Sequence, residues 1–338
     1  VTYIVWGTLY STVNIPYGSM ASVITADPIE RTTLSTWRTV GASLAGLVIN
    51  VLGPIIVFVD NKISADRMFM TACVFGVLAI ACYIGCYKLS TERIEAPAKE
   101  VKKGDFLRSM KSLVTNKPFL WVLAASLLAM LTSFIVMAVN TYLFKDYFGD
   151  ATALSLIGLV QMAVMFITVP LVKPLVAKFG KKEVSVVGMA VAGIIYTLLY
   201  FLKMSDTTPF IALAALAMVG TGFYSFVSYA FISDVIDYHE YLTSLREDAT
   251  VYSIVSMSRK IGQAVAGGIG GVAIAAVGYD ATVGTQPQEV LDGIYMLGTL
   301  VPGIFYAVIA LVLFLYPLNK QKTLQLSKDL EAKRNAKA

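Results

Sequence analysis

Residues 88–118 read KLSTERIEAPAKEVKKGDFLRSMKSLVTNKP. This is the longest polar stretch of the chain, it carries charges of both signs, and its composition is that of a solvated linker. Outward from it the sequence turns apolar in both directions. Runs of about 20 mostly apolar residues, the length of a helix that crosses a bilayer, fall at 1–26, 38–59 and 68–87 before the linker. After it they fall at 119–144, 151–179, 183–203, 209–233, 249–278 and 291–316. The sequence predicts nine spanning helices, three ahead of the linker and six behind it. Strand alternation is absent, so a transmembrane barrel is not predicted.

Composition agrees. Of 338 residues, 57% are hydrophobic and 14% charged, against about 45–50% and about 25% in a soluble domain. That excludes an ordinary soluble enzyme, and it excludes a disordered chain, whose signature is low hydrophobicity. Three cysteines in a chain this long are no disulfide scaffold. The net charge of +5 is small for this length and sits in loops, so no nucleic-acid partner is predicted. An all-α polytopic membrane protein remains, with the lipid bilayer as its first partner.

Orientation follows from Lys and Arg, which accumulate on the cytoplasmic side. The loops on one side, linker and tail included, hold 21 of them, and those on the other side hold 4. The linker and the C-terminus are therefore assigned to the cytoplasm. The chain divides into 1–87, an N-terminal helical remainder; 88–118, a cytoplasmic linker; 119–316, a six-helix bundle; and 317–338, a Lys-rich tail expected to be mobile. Three helices against six is lopsided. Three further helices ahead of Val1 would give six on each side and return the N-terminus to the cytoplasm.

Polar groups inside a membrane are functional candidates. Every Asp and Glu can be placed in a loop or at a helix end. The innermost charges are Arg259 and Lys260, early in the eighth span, and Arg38, at the entrance of the second. The neutral candidates are Asn14, Asn50, Asn140, Gln161 and Gln263. Tyr10, Ser11, Asn14 and Tyr17 recur at helical spacing and share a face, and Pro16 removes a backbone donor nearby. Such a face suits a sugar, with rings stacking on its apolar side, and equally an interhelical hydrogen-bond patch. A buried Lys260 needs an acid, an anionic ligand or water to keep its proton. Arg259 either snorkels to the interface or joins the site. Cys73, Cys82 and Cys86 read as small packing residues, and His239, in DYHEY, as a solvated loop residue. No metal-ligand cluster, nucleophile–base pair, catalytic residue or cofactor motif is visible.

Two segments carry a family resemblance: NIPYGSMASVITADPIERTTLSTWR at 14–38 and SDVIDYHEYLTSLREDATVYSIVSMSRKIGQAVAGG at 233–268. Both resemble the glycoside–pentoside–hexuronide:cation symporters, the family of melibiose permease, within the major facilitator superfamily. NKPF at 116–119 is similar to that family too. The resemblance implies two six-helix bundles with alternating access, of which this chain is expected to lack the first three helices and to run from helix IV to helix XII. It implies substrate contacts at Tyr10, Asn14, Tyr17, Arg38, Ser256 and Lys260, and cation contacts at Ser11 and Asn14. It places Asp27, Glu30, Arg31, Asp234, Asp237, Tyr238, Glu240 and Arg246 in cytoplasmic gate motifs. The family's cation carboxylates lie on its second helix.

The sequence also departs from melibiose permease. Asn14 replaces a sugar-binding aspartate, Gly18 replaces one aromatic of a stacking pair, and His239 replaces a glycine. The NIPYGS and RK-x-GQA forms resemble the bacterial glucuronide carrier, and with Asn14 neutral the surplus of positive charge suits a uronate carboxylate. The expectation is a secondary active transporter of the bacterial cytoplasmic membrane. It would move a glycoside, with glucuronides or hexuronides as candidates, together with Na⁺ or H⁺ and with no cofactor. The alternatives are a membrane-embedded glycosyl or lipid transferase, and a facilitator for another cargo such as a lysolipid.

Overall fold

The structure, a computed structural model, describes residues 2–59, 62–63, 65–94, 113, 115–150, 153–244, 246–280, 282–283 and 285–335. Most of the expected linker (95–112 and 114) lies outside the described residues, as does the side chain of Asn50. The elements are α1 (Thr2–Ile24), α2 (Pro28–Val57), β1 (Phe58–Val59), β2 (Lys62–Ile63) and α3 (Ala65–Leu89). Then come α4 (Lys117–Tyr142), a π-helical turn (Leu143–Tyr147), α5 (Ala153–Phe179), α6 (Lys181–Leu202) and α7 (Thr207–Thr243). The chain ends with α8 (Asp248–Ala276), α9 (Gln288–Gly298), α10 (Leu300–Leu315) and α11 (Lys320–Asn335). The two short strands pair antiparallel, Phe58 with Ile63 and Val59 with Lys62.

Six helices among the described residues are long and apolar enough to cross a bilayer: α3, α4 with its π turn, α5, α6, α7, and α9 with α10. Nine spans are expected from sequence, and the other three fall on α1, α2 and α8. Helices α1 and α8 carry Asn14, Arg259, Lys260 and Gln263, the polar residues of the candidate site.

Local chemistry sets the ends of these helices. The Asn116 side chain accepts from the Phe119 backbone N–H at 3.1 Å and caps α4, with Pro118 in the first turn, where no donor is needed. Asp27 does the same ahead of Pro28, accepting from the Ile29 N–H at 3.0 Å. The last expected span, 291–316, is broken at Thr299 (φ −125°, ψ −72°) into α9 and α10. Pro302 lacks the N–H that the carbonyl of Gly298 would need to continue the helix.

Helix α6 packs on α7 and α10, α4 on α8 and α10, and α5 on α7; α1 lies on α8, and α2 on α7 and α5. The α6–α7 contact depends on two glycines. A Cβ on Gly188 would fall 2.4 Å from the carbonyl oxygen of Gly220, and one on Gly220 would fall 2.3 Å from that of Gly188. Backbones this close exploit small residues, as membrane helices do. One apolar cluster gathers Phe119, Phe231, Val235, Tyr252 and Tyr316; a second gathers Leu143, Phe144, Leu199, Phe210 and Tyr295 around the π turn.

Four expectations are corrected. The tail is not free chain: α11 is a helix whose Thr323, Leu326 and Leu330 are buried. Lys320 Nζ donates to the carbonyl of Ala177 at 2.7 Å, and Ser327 Oγ to that of Ala26 at 3.1 Å. The 323–326–330 stripe was in the sequence, masked by lysines. Second, the seventh expected span does not end at 233. Helix α7 runs to Thr243, so Asp234, Asp237 and His239 are buried on a helix rather than solvated in a loop. Third, α2 begins at Pro28, which puts Arg38 nearly three turns inside it. Fourth, Cys73 and Cys82 are exposed, and α3 buries no residue among those described, so they are not core packing residues.

Candidate functional site

A cavity of about 250 Å³ opens where α1, α4, α7 and α8 meet. Ligand pockets run to roughly 300–1,000 Å³, so this one is small. From α1 it is lined by Tyr10 and Asn14, from α4 by Met130, and from α7 by Tyr229 and Ile232. Helix α8 contributes one face at helical spacing: Tyr252, Val255, Ser256, Arg259, Lys260 and Gln263. Among the described residues no carboxylate lines the cavity.

Its polar groups are held as follows. Lys260 Nζ donates to Ser11 Oγ at 2.8 Å and stands 5.4 Å from the centroid of the Tyr10 ring. Ser11 Oγ in turn donates to the Gly7 carbonyl at 2.8 Å. Arg259 Nη1 donates to the Tyr229 hydroxyl at 2.9 Å, with its guanidinium carbon 4.9 Å from the same ring. Arg38 stands behind this wall. Its Nη2 donates to the Tyr252 hydroxyl at 2.5 Å, and its guanidinium carbon lies 4.0 Å from the Tyr229 ring and 4.7 Å from the Tyr17 ring. Tyr229 and Tyr252 stack, with centroids 6.3 Å apart at 23°. Cations over ring faces are stabilised by the ring quadrupole, which holds two guanidiniums here without a carboxylate partner among the described residues.

Gly18 explains the approach of α1 to α8. A Cβ there would fall 1.7 Å from Tyr252 Cζ, inside the phenol ring. The sequence reads the loss of an aromatic at this position as a lost stacking ring; in the structure a ring from α8 fills the space.

The charged residues of the two sequence motifs form a second layer. Arg31, only 1% exposed, pairs with Asp237 and donates to the carbonyls of Thr25 at 2.8 Å and Ser22 at 3.2 Å. Arg246 reaches Asp237 at 3.2 Å, Glu240 at 2.7 Å, Asp248 at 2.9 Å and the Ser22 carbonyl at 2.7 Å. Burial opposes its charge, but Asp248, Asp237 and Glu240 outweigh that and hold its pKa above the ordinary value. Asp234 pairs with Lys181 at 2.6 Å. Glu30 accepts from Thr25 Oγ1 at 2.5 Å, and His239 Nε2 lies 3.4 Å from Glu247.

Of the residues singled out from sequence, Tyr10, Asn14, Ser256 and Lys260 line the cavity, and Ser11, Tyr17 and Arg38 adjoin it. Arg31, Asp237, Glu240 and Arg246 meet in one network. Asp234 sits beside it with Lys181, Asp27 caps α2, and Tyr238 packs on the apolar core. Sequence reasoning missed Tyr229, Tyr252, Lys181 and Asp248. Tyr252 was findable, since 252, 256, 260 and 263 follow one helical face; Tyr229 carries no such signal.

A family model described as MFS/sugar transport protein matches residues 1–320. A Bacillus subtilis protein described as the uncharacterized symporter YjmB is 30% identical over 98% of this chain and 72% of its own length. An Escherichia coli putative 2,3-dihydroxypropane-1-sulfonate exporter is 29% identical over 99% of this chain and 73% of its own. An Escherichia coli glucuronide carrier protein homolog is 29% identical over 95% and 70%. The crystal structure of the Escherichia coli fucose:proton symporter FucP superposes with a TM-score of 0.62 at 16% identity, covering 90% of this chain and 73% of that one. At that identity the likeness concerns the fold alone.

Proposed function

The chain belongs to the MFS/sugar transport protein family, a multi-pass membrane transporter by its fold and helices, and from that premise we propose that it carries an anionic glycoside, such as a glucuronide or another hexuronide, by alternating access coupled to Na⁺ or H⁺. The observation that carries this reading is the charge of the cavity. Arg259 and Lys260 line it, Arg38 stands behind it, and no carboxylate among the described residues lines it. A cationic wall in a low-dielectric site favours an oxyanion through charge-assisted hydrogen bonds. Tyr10 offers a ring for the apolar face of a sugar, and Asn14, Ser256 and Gln263 offer groups for its hydroxyls.

Ser11 and Asn14 are the proposed oxygen ligands of the coupling cation from this chain. Hard cations such as Na⁺ take oxygen ligands, and here Lys260 already occupies Ser11 Oγ. The 21-to-4 asymmetry of basic residues supports a cytoplasmic C-terminus in a bacterial cytoplasmic membrane. The Arg31–Asp237–Arg246 network then closes the cytoplasmic side of the cavity.

A sulfonate is the second reading, because the same donors accept it in place of a carboxylate, and one relative is named for such a cargo. Equilibrium binding of p-nitrophenyl β-glucuronide, p-nitrophenyl β-glucoside and a sulfonated sugar to the full-length protein tests both. Preference for a charged ligand is expected. Equal affinity for the neutral glucoside would remove the anionic reading.

A further inference from the structure

The geometry points to Tyr252 as a specificity-determining residue, whose hydroxyl presents the charge of Arg38 to the cavity and whose seat on Gly18 fixes where that hydroxyl stands. The inference rests on the reading of the cavity as a site for an anionic sugar.

Arg38 does not line the cavity; Tyr229 and Tyr252 do. A guanidinium has five N–H donors, yet Arg38 makes one hydrogen bond to a described side chain, to the Tyr252 hydroxyl at 2.5 Å. The rest of its surroundings are ring faces: Tyr17, Tyr229 and Tyr252, at 4.7, 4.0 and 5.3 Å. The charge of Arg38 therefore reaches the cavity past the rings of Tyr229 and Tyr252, and through the one side-chain hydroxyl it binds among the described residues, that of Tyr252. A phenol that accepts from a guanidinium is a stronger partner for an oxyanion than a free one, because hydrogen bonds in a chain polarise each other.

The position of that phenol is not left to side-chain freedom. Tyr252 is 4% exposed. Its ring stacks on Tyr229 and occupies the volume that any side chain at position 18 would claim, with Cζ, the carbon bearing the hydroxyl, the nearest atom to the missing Cβ. Gly18 thus acts on specificity without touching a ligand: a methyl group there forces the ring to shift and displaces the hydroxyl from Arg38, while Tyr252 keeps all its chemical groups.

The test uses the full-length protein in detergent, with p-nitrophenyl β-glucuronide and p-nitrophenyl β-glucoside as probes. Tyr252→Phe keeps the ring and removes the hydroxyl; Gly18→Ala keeps the hydroxyl and moves it. Each is expected to lower the glucuronide-to-glucoside affinity ratio about tenfold, the scale of one hydrogen bond to a charged group, with the glucuronide losing more affinity than the glucoside. An unchanged ratio in Tyr252→Phe, or an equal loss for both sugars, would overturn the role of Tyr252. A fall in Tyr252→Phe without one in Gly18→Ala would overturn the role of the Gly18 seat. A wild-type protein that binds both sugars equally would instead refute the anionic-cargo reading beneath it.

Discussion

Arg31 of α2 and Asp237 of α7 form an ion pair whose side chains are 1% and 8% exposed, and Arg246, from the turn between α7 and α8, binds the same carboxylate at 3.2 Å. Both arginines also donate to the carbonyl of Ser22 at the end of α1. The α1–α2 corner is thereby fixed to the α7–α8 corner. Three of these helices, α1, α7 and α8, also line the cavity, so the corner contact joins elements of its wall. The contact has few members and most are charged, so its stability depends on every partner being present.

Removing the shared carboxylate should be costly. Asp237→Ala leaves the buried Arg31 without a carboxylate partner among the described residues, while Arg246 keeps Glu240 and Asp248, and breaking a buried pair from one side costs about 3–5 kcal/mol. The variant is expected to melt well below wild type in detergent and to expose Ser22→Cys, introduced as a reporter, to a water-soluble thiol reagent. An unchanged melting temperature and unchanged labelling would show that the corner contact does not hold the two halves closed.

Lys181 and Asp234 offer a cleaner cycle. The pair is buried at 6% and 1% exposure, with Nζ to Oδ1 at 2.6 Å. Either charge alone is a burden in this apolar layer, whereas replacing both by apolar groups of similar volume is often neutral. Lys181→Met and Asp234→Leu singly should each lower the melting temperature more than the double variant does, a coupling of about 1–3 kcal/mol. Additive losses would mean that the two charges are not each other's partner.

The reading of the sequence succeeded where a single physical rule governed a whole segment. A 20-residue apolar run has few ways to exist other than as a helix, so the expected spans matched the helices closely, as at 183–203 against Lys181–Leu202. It failed where tertiary contacts overrode composition. DYHEY looks solvated because it is polar, but Asp237 and His239 are buried because Arg31, Arg246 and Glu247 reach them from elsewhere in the chain. The Lys-rich tail looks mobile because its charges outnumber its leucines, yet three buried positions at helical spacing suffice to seat it. At the site, Lys260 was visible as an unpaired charge. The Tyr252 ring over Gly18 was not, because it depends on the register between two helices 234 residues apart.

The seating of α11 can be broken without touching the cavity. Leu330 is 3% exposed, and Arg334 donates to Glu240 at 2.6 Å. Leu330→Asp places a carboxylate at a buried position of α11. Helix α11 should detach, seen as faster proteolysis after residue 319 under conditions where wild type resists. Arg334→Ala, which loses a pair 29% and 15% exposed but keeps the apolar stripe, should loosen the helix less than Leu330→Asp does. Equal protease resistance in wild type and Leu330→Asp would refute the packed helix.

Lys260 is the most direct test of the cavity. Its ammonium donates to Ser11 Oγ and faces the Tyr10 ring, and no acid among the described residues pairs with it. If it serves an oxyanion, Lys260→Ala removes a charge-assisted bond, and the affinity for p-nitrophenyl β-glucuronide should fall ten- to a hundredfold while membrane insertion is unaffected. Lys260→Arg should recover part of the loss, because it restores the charge with a different reach. Asn14→Ala, which removes a neutral partner, should cost less, about fivefold. Ser11→Ala separates the two roles proposed for this corner. If Ser11 serves the coupling cation, that variant shifts the Na⁺ or pH dependence of binding while the affinity at saturating cation stays close to wild type. Undiminished glucuronide binding in Lys260→Ala would remove the lysine from the substrate site and leave it as a helix-packing cation on Ser11.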